Sequence, residues 1–240
     1  VMTKIGSQRI AVDGNTGVLE GLSPDAVKDA VKKSLVRLKS DHIDILLAHH
    51  DDKKTPLLDS WTAFSDLAKT GMATKIGVSN YSAERMVELS GIIRKHALAP
   101  VDVVQLQYSV VTPVEGTDFG MLACLDDRMK RTLVEYFPGA VVFAYSPLAG
   151  GRVFENDRVE TWPKYYDSPG NRETVEKVRR NAADLGVSPS ALVLKQVADQ
   201  DIIPITATKI PARLSENLSL FAIEGGAVKS RRIFASWTPA

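Results

Sequence analysis

Residues 43–52 have the sequence IDILLAHHDD, an almost unbroken apolar run that changes abruptly into four titratable side chains. A six-residue apolar run is typical of a strand that is covered on both faces, as strands in parallel sheets are. His49 would then lie directly at the carboxyl end of this strand. In parallel α/β folds, functional groups gather at that end of the sheet.

Strand and helix patterns alternate along the rest of the chain. Ser23 and Pro24 predict the N-cap and first residue of a helix, because these types favour those positions. The predicted strands are 2–4, 43–48, 74–80, 101–109, 140–148 and 202–209, and the predicted helices are 24–38, 55–69, 82–96, 121–136, 172–185, 188–197 and 211–218. Such alternation predicts parallel strands joined by right-handed crossovers.

The polar residues at the strand ends distinguish between the two common parallel folds. Neither a Gly-x-Gly-x-x-Gly nor a P-loop motif follows any predicted strand, so the phosphate signals of doubly wound folds are absent. Functional groups at the ends of many strands are typical of a (β/α)₈ barrel. They are Lys4, His49, Ser79, Asn80, Gln105, Tyr145, Ser146, Thr208 and Lys209. The sequence predicts one barrel domain over 1–240, with a long loop at 152–171 and an irregular C-terminal extension at 219–240.

Composition excludes several classes of protein. The chain has 240 residues, 44% hydrophobic and 25% charged, with a net charge of +1, so nothing indicates a nucleic-acid or membrane partner. No apolar run is long enough to cross a bilayer. The single cysteine, Cys124, excludes an internal disulfide framework and is typical of a reducing compartment, so we expect a cytoplasmic protein. Cys124 lies in an apolar stretch predicted to be helical, which argues against a catalytic thiol.

Each polar strand end also has an ordinary structural interpretation. Lys4 is equally explained as a solvated lysine, and Ser79 with Asn80 as a helix cap. His49 and His50 are adjacent, so within a strand they would point to opposite faces and would not share a metal. No carboxylate spacing completes a ligand set, and we therefore predict no metal site.

Taken together, several segments resemble the aldo-keto reductase family. They occur in the order and spacing of that family over most of residues 1–220, and "GVSN", "AYSPL" and "RLSEN" are specific in combination. The segments are MTKIG (2–6), SLVRLKSDHIDILLAHHDD (34–52), LAKTGMATKIGVSNYS (67–82), VVQLQYS (103–109), FAYSPLAGG (143–151) and ATKIPARLSENL (207–218).

The resemblance implies a (β/α)₈ barrel that transfers hydride between NADP(H), less often NAD(H), and a small-molecule carbonyl or alcohol. It implies that Lys4 and His49 are catalytic, His49 within a His-x-x-Asp pattern that ends at Asp52, and that His50 is an incidental neighbour. By the same resemblance, Ser79, Asn80 and Gln105 would bind the nicotinamide carboxamide, and Tyr145 would contact the nicotinamide ring. Ser146, Pro147 and Leu148 would lie along the pyrophosphate. Thr208, Lys209 and Arg213 would bind the 2′-phosphate, and Glu216 and Asn217 would contact adenine. Basic residues at a 2′-phosphate favour NADP(H).

One departure from the family pattern concerns the proton donor. The family's tyrosine and its paired aspartate come from the second barrel strand, and the first tyrosine of this chain is Tyr81. We therefore expect this chain to hold only the third to eighth barrel strands, either as an incomplete reductase of impaired activity or as a six-strand derivative with another role. Open strand edges would favour self-association unless another segment or subunit covers them.

Two functions from other classes remain as alternatives. One is a non-catalytic regulatory subunit that senses a nicotinamide cofactor, similar to the relatives in this family that serve as β-subunits of potassium channels and have weak chemistry. The other is a barrel enzyme that uses Lys4 as a Schiff base, although the sequence shows no apolar pocket that would lower the pKa of Lys4.

Overall fold

The computed structural model describes residues 1–12, 15–151, 154 and 162–223. The chain divides into two compact units: unit 1 comprises 1–106 and 121–141, and unit 2 comprises 107–120 and 142–240. Each unit carries parallel strands with helices, so the predicted α/β class is confirmed. No helix within the described ranges is long and apolar enough to cross a membrane.

Unit 1 is built on a parallel sheet. Its strands are, in spatial order, β1 (Met2–Ile5), β4 (Ile43–Ala48), β5 (Ala73–Ser79) and β6 (Val103–Gln107), and a separate antiparallel pair is formed by β2 (Arg9–Val12) and β3 (Asn15–Leu19). The register sets Lys4 opposite Leu47 and Ser79 opposite Gln105. The carboxyl ends of all four parallel strands therefore lie along one edge of this sheet.

The centre of this sheet is tightly packed. Ile43, Leu46 and Leu47 of β4 are fully buried, as the apolar run predicts. β5 approaches β6 so closely that a Cβ on Gly77 would lie 2.0 Å from the carbonyl oxygen of Val103. Only glycine allows this distance, so Gly77 keeps the two strands paired.

Four helices complete unit 1: α1 (Pro24–Leu38), α2 (Leu57–Lys69), α3 (Ala83–His96) and α4 (Asp127–Tyr136). Ser23 and Ser82 cap α1 and α3 through hydrogen bonds from backbone N–H groups three residues ahead. α2 buries Trp61 and Phe64 as stacked rings, and the Trp61 indole donates to the carbonyl oxygen of Ala99 at 2.9 Å. The bounds of α1, α2 and α3 agree with the prediction to within two residues.

Unit 2 has a shorter parallel pair. β7 (Val141–Tyr145) pairs with β8 (Ile202–Ile205), and the helices are α5 (Pro169–Leu185), α6 (Pro189–Ala198) and α7 (Pro211–Leu218), with single 3₁₀ turns at Lys164–Tyr166 and Ser219–Ala222. Its core joins the inward residues of α5 and α6 to aromatic side chains: Val175, Val178, Ala182, Leu192, Val193, Phe154, Trp162 and Tyr166.

The bounds of several predicted elements are wrong. Residues 6–22, for which the sequence predicts neither a strand nor a helix, contain β2 and β3. The helix expected from 121 begins only at Asp127, because Asp126 caps it through a 2.7 Å bond from the Met129 N–H, so Cys124 lies outside it. α5 begins at Pro169, three residues early, with Ser168 as its cap. The C-terminal extension at 219–240 stays a prediction: Ser219–Ala222 form a 3₁₀ turn, and residues 224–240 lie outside the described residues.

The long loop predicted at 152–171 is described only in part. Residues 152, 153 and 155–161 lie outside the described ranges. Where the structure describes this stretch, Trp162 and Tyr166 are buried and the Tyr166 hydroxyl accepts a 2.8 Å bond from the Gln107 side chain. This end of the segment therefore packs into unit 2 as core.

Candidate active site

The carboxyl edge of the unit 1 sheet gathers the polar residues predicted from the strand ends. We call them the edge cluster: Lys4, His49, Ser79, Asn80 and Gln105. Ser79, Asn80 and Gln105 are buried, with Ser79 at 0% and Gln105 at 1% exposure, and Lys4 and His49 are half-buried. The structure thus brings together the five predicted site residues that belong to unit 1.

Lys4 on β1 is held by a side chain of β6, three strands further along the sheet. Its ammonium donates to Oε1 of Gln105 at 2.5 Å, and the Gln105 amide lies 3.7 Å from the sulfur of Met2. Burial lowers the pKa of Lys4. The ammonium is therefore poorly solvated and already directed at a neutral acceptor, which suits a group that stabilises negative charge on a reacting oxygen.

His49 is fixed through its backbone. Its N–H donates to the carbonyl oxygen of Ile5 at 2.8 Å, and its own carbonyl accepts from the Asn80 amide at 3.0 Å. Burial, then the charge of Lys4, then His50, lower the pKa of His49 to about 4. The imidazole is therefore neutral at pH 7 and offers one N–H as a hydrogen-bond donor.

Asn80 connects three parts of the cluster. Its backbone has a positive φ of 61°, and its amide nitrogen also lies 3.2 Å from the Ser79 hydroxyl. Its Oδ1 accepts the N–H of Ala123 at 3.1 Å. The sequence predicts a cofactor contact for Asn80, and the structure adds a bridging role within unit 1 that no local pattern indicates.

Asp52, the last residue of the His-x-x-Asp pattern, joins several segments of the chain through hydrogen bonds. Its carboxylate accepts from the Leu22 N–H at 2.8 Å, the Thr55 hydroxyl at 2.7 Å and the Lys54 N–H at 3.0 Å. Burial opposes ionisation, but these hydrogen bonds outweigh it and lower the pKa of Asp52. Asp52 therefore ties the entry of α1 and the start of α2 to the end of β4.

Unit 2 holds a cavity of about 400 Å³ at the carboxyl ends of its two strands. Its lining is Tyr145, Ser146, Pro147, Leu148, Gly150, Gly151, Ile205, Thr206, Ala207, Thr208, Arg213, Glu216 and Asn217. Eight predicted cofactor residues are in that set, whereas Lys209 is exposed and is not one of the lining residues. Sequence reasoning missed five lining residues that carry no charge: Gly150, Gly151, Ile205, Thr206 and Ala207.

Two local structures shape this cavity. After β7 the chain turns through Ser146 and Ala149, both with positive φ, and the N–H of Ala149 returns to the Ser146 carbonyl at 2.9 Å. α7 presents Arg213, Glu216 and Asn217 three and four residues apart, which is one helical face. The guanidinium of Arg213 and the hydroxyls of Ser146, Thr206 and Thr208 are donors of the kind that bind phosphate oxygens.

The described residues offer no group of three His, Cys, Asp or Glu side chains that could hold a metal ion. The sequence predicts that His49 and His50 point to opposite faces of a strand. This prediction is wrong. Strand β4 ends at Ala48, and the two rings stack with centroids 4.6 Å apart. The alternation rule for strands does not apply beyond the last strand residue.

The sequence profile of the aldo/keto reductase family matches residues 1–227. A parallel α/β fold with lysine and histidine at neighbouring strand ends agrees with that match. The chain belongs to the aldo/keto reductase family.

Individual relatives share between a quarter and a third of their aligned residues with this chain. It is 29% identical over 216 residues to aldo-keto reductase str7 of Strobilurus tenacellus, covering 84% of this chain and 60% of that protein. It is 28% identical to the aldo-keto reductase yakc of Schizosaccharomyces pombe, whose name specifies NADP(+), covering 92% and 64%. It is 29% identical to aflatoxin B1 aldehyde reductase member 2 of Rattus norvegicus, covering 63% and 38%.

A crystal structure named for a 2,5-diketo-D-gluconic acid reductase B superposes with a TM-score of 0.67 at 21% identity, covering 92% of this chain and 62% of that one. At this identity the likeness concerns the fold alone. The chain spans 60%, 64% and 38% of the str7, yakc and rat proteins.

Proposed function

We propose that this protein catalyses hydride transfer between NADPH and a small aldehyde or ketone, and that its parallel strands correspond to the third to eighth strands of the family barrel. The observation that carries this proposal is the edge cluster. It sets a desolvated ammonium at Lys4 beside a neutral imidazole at His49, at the ends of paired strands. Family membership supports an oxidoreductase acting on carbonyl groups.

The edge cluster suits the charge that develops in such a reaction. When hydride reaches a carbonyl carbon, the oxygen gains negative charge, which hydrogen-bond donors stabilise, and it becomes the alcohol by taking a proton from the Lys4 ammonium, which regains one from solvent. The Lys4 ammonium and the His49 ring N–H are two such donors; Gln105 fixes the ammonium, and Asn80 holds the backbone that carries His49, before substrate binds. Gln105 and Ser79 supply polar atoms suited to the carboxamide.

The unit 2 cavity suits the phosphate-bearing part of the cofactor. Arg213 and Thr208 would bind the 2′-phosphate, Ser146 the pyrophosphate, Glu216 and Asn217 adenine, and Tyr145 would supply an aromatic face for the nicotinamide. The bound NADPH supplies the hydride. The preference for NADPH over NADH rests on the guanidinium of Arg213, since arginine binds phosphate in bidentate fashion.

A titration with NADPH and with NADH, followed by nicotinamide fluorescence, tests this assignment. We expect NADPH to bind more tightly, and Arg213→Ala to weaken NADPH binding about tenfold, equal to about 1.4 kcal/mol, with little effect on NADH. Arg180→Ala is the matched control, because Arg180 is an exposed arginine on α5 and does not line the cavity.

Turnover with a panel of aldehydes then separates the functional classes. Cofactor binding with carbonyl reduction supports the proposal. Binding without turnover of any aldehyde would favour the cofactor-sensing regulatory subunit, and equal affinity of wild type and Arg213→Ala for NADPH would overturn the phosphate assignment.

A further inference from the structure

The ring of His50 packs face to face on the ring of His49. Their centroids are 4.6 Å apart and their planes differ by 7°. Both residues directly follow β4, and both rings are only partly exposed. A stack this parallel restricts rotation of the His49 side chain, because its ring would have to leave the contact to turn.

The His50 ring is itself fixed. The backbone of Met121 favours the protonated form of this ring, which indicates that its carbonyl oxygen faces a ring N–H. The Nδ1 atom of His50 is buried and has no hydrogen-bond partner among the described residues. Burial and the charge of Lys4 keep this imidazole neutral by lowering its pKa.

The segment that carries Met121 is attached to the same side chain as His49. Asn80 donates through its amide to the His49 carbonyl and accepts through Oδ1 from the Ala123 N–H, at 3.0 and 3.1 Å. Asn80 thus holds the His49 backbone directly. It also holds the strip of chain, residues 121–123, on which the His50 ring rests.

We infer that His50 is a positioning residue for His49: its ring, fixed on the Met121 carbonyl, stacks on the His49 imidazole and holds that imidazole in one orientation. His50 touches no reacting atom in this role. The inference deepens the proposed function, on which its kinetic consequence rests. The geometry of the stack itself is independent of any reaction.

Two substitutions separate stacking from simple space filling. His50→Ala removes the stacked ring, whereas His50→Phe keeps a flat ring and loses only the bond to Met121. His96→Ala is the matched control, since His96 is an exposed histidine at the end of α3. Preserved amide spectra would show which variants retain the fold.

The primary readout is NMR of the His49 ring, which needs no activity. In wild type and His50→Phe we expect ring-current-shifted His49 signals and a low titration midpoint, about 4 in wild type. In His50→Ala the signals should move toward those of an unstacked histidine and the midpoint toward 6.5. Unchanged His49 signals and midpoint in a folded His50→Ala would overturn the inference.

Kinetics supply the second readout. With an aldehyde and NADPH, His50→Ala should lower kcat about tenfold or more, because a misplaced catalytic group costs that much, while KM for NADPH stays unchanged. His50→Phe should restore most of kcat. A wild-type protein without turnover would refute the proposed function, and the NMR comparison would still decide the role of His50. A kcat of His50→Phe as low as that of His50→Ala would contradict positioning by stacking.

Discussion

The two polar regions of this molecule are built in opposite ways. The edge cluster of unit 1 consists of side chains that satisfy one another, with Ser79, Asn80 and Gln105 buried and Lys4 already bonded to Gln105. The unit 2 cavity is lined by a turn and a helix face on which Arg213 is exposed. Groups that act on a reacting atom need fixed positions, whereas a charged ligand can be bound by side chains that adapt to it.

The largest expected effect is a loss of stability in unit 1, whose sheet carries the edge cluster. An added Cβ in Gly77→Ala would lie 2.0 Å from the Val103 carbonyl oxygen, so β5 and β6 must separate. We expect the free energy of unfolding of unit 1 to fall by about 3–5 kcal/mol, measured by hydrogen exchange of peptides from β5 and α2.

Gly91→Ala is the matched control for that substitution. A Cβ at Gly91, inside α3, would meet nothing within 4 Å, so we expect a gain of about 0.5–1 kcal/mol. Equal stability of the two variants would show that the β5–β6 approach is not tight.

A pair of asparagines sharpens the comparison at the level of single side chains. Asn80→Ala leaves the His49 carbonyl and the Ala123 N–H without their partner, and we expect a loss of about 2–3 kcal/mol. Asn217→Ala removes a long hydrogen bond of 3.5 Å from its amide to the Thr206 hydroxyl and should cost about 1 kcal/mol or less. Urea unfolding of both variants, with hydrogen exchange to assign the unit, measures the difference.

Both asparagines are buried, so burial alone predicts similar losses. A loss for Asn217→Ala as large as that for Asn80→Ala would remove the distinction between the two regions.

Acid should weaken the edge cluster through His49. The unfolded histidine binds a proton near pH 6.5, whereas folded His49 binds one only near its pKa of about 4, so stability falls as pH drops through this window. His49→Gln should flatten the decline of the melting temperature between pH 6.5 and 4. Asp52 acts at lower pH. Its pKa is depressed in the folded state, so the stabilisation from Asp52 is present above the unfolded pKa and is lost as pH falls through the folded pKa.

His42 provides a control of opposite sign for the acid effect. Asp41 and then Asp44 raise the pKa of this exposed histidine, so its stabilisation is present at low pH and lost as pH rises through the folded pKa. His42→Gln should therefore steepen the decline slightly on acidification. A steeper decline for His49→Gln would contradict the burial of a neutral imidazole at that position.

The smallest effect is expected at Lys209. Its ammonium is exposed and outside the cavity lining, so water and salt screen its attraction for a phosphate. Lys209→Ala should weaken NADPH binding less than twofold at 0.15 M salt, compared with about tenfold for Arg213→Ala. A weakening at Lys209 equal to that at Arg213 would place the phosphate outside the cavity that the structure shows.

Local sequence determined most of the elements that carry these regions. The run at Ile43–Ala48, the serine caps of α1 and α3, and the position of Lys4 and His49 at strand ends follow from periodicity and capping chemistry within a few residues. The start of α4 was missed because apolar residues after 121 continue a helical spacing, while the Asp126 cap decides where the helix begins.

Only the tertiary structure decided how those residues work together. Gln105 meets Lys4 across 101 residues, and Asn80 meets Ala123 across 43, distances over which no sequence period carries information. The stack of His50 on His49 depends on β4 ending at Ala48, just before His49, and on the backbone of Met121, which is distant in sequence. Strands and helices arise from short-range patterns, whereas the orientation of a polar side chain is set by the partners that satisfy it after the chain has folded.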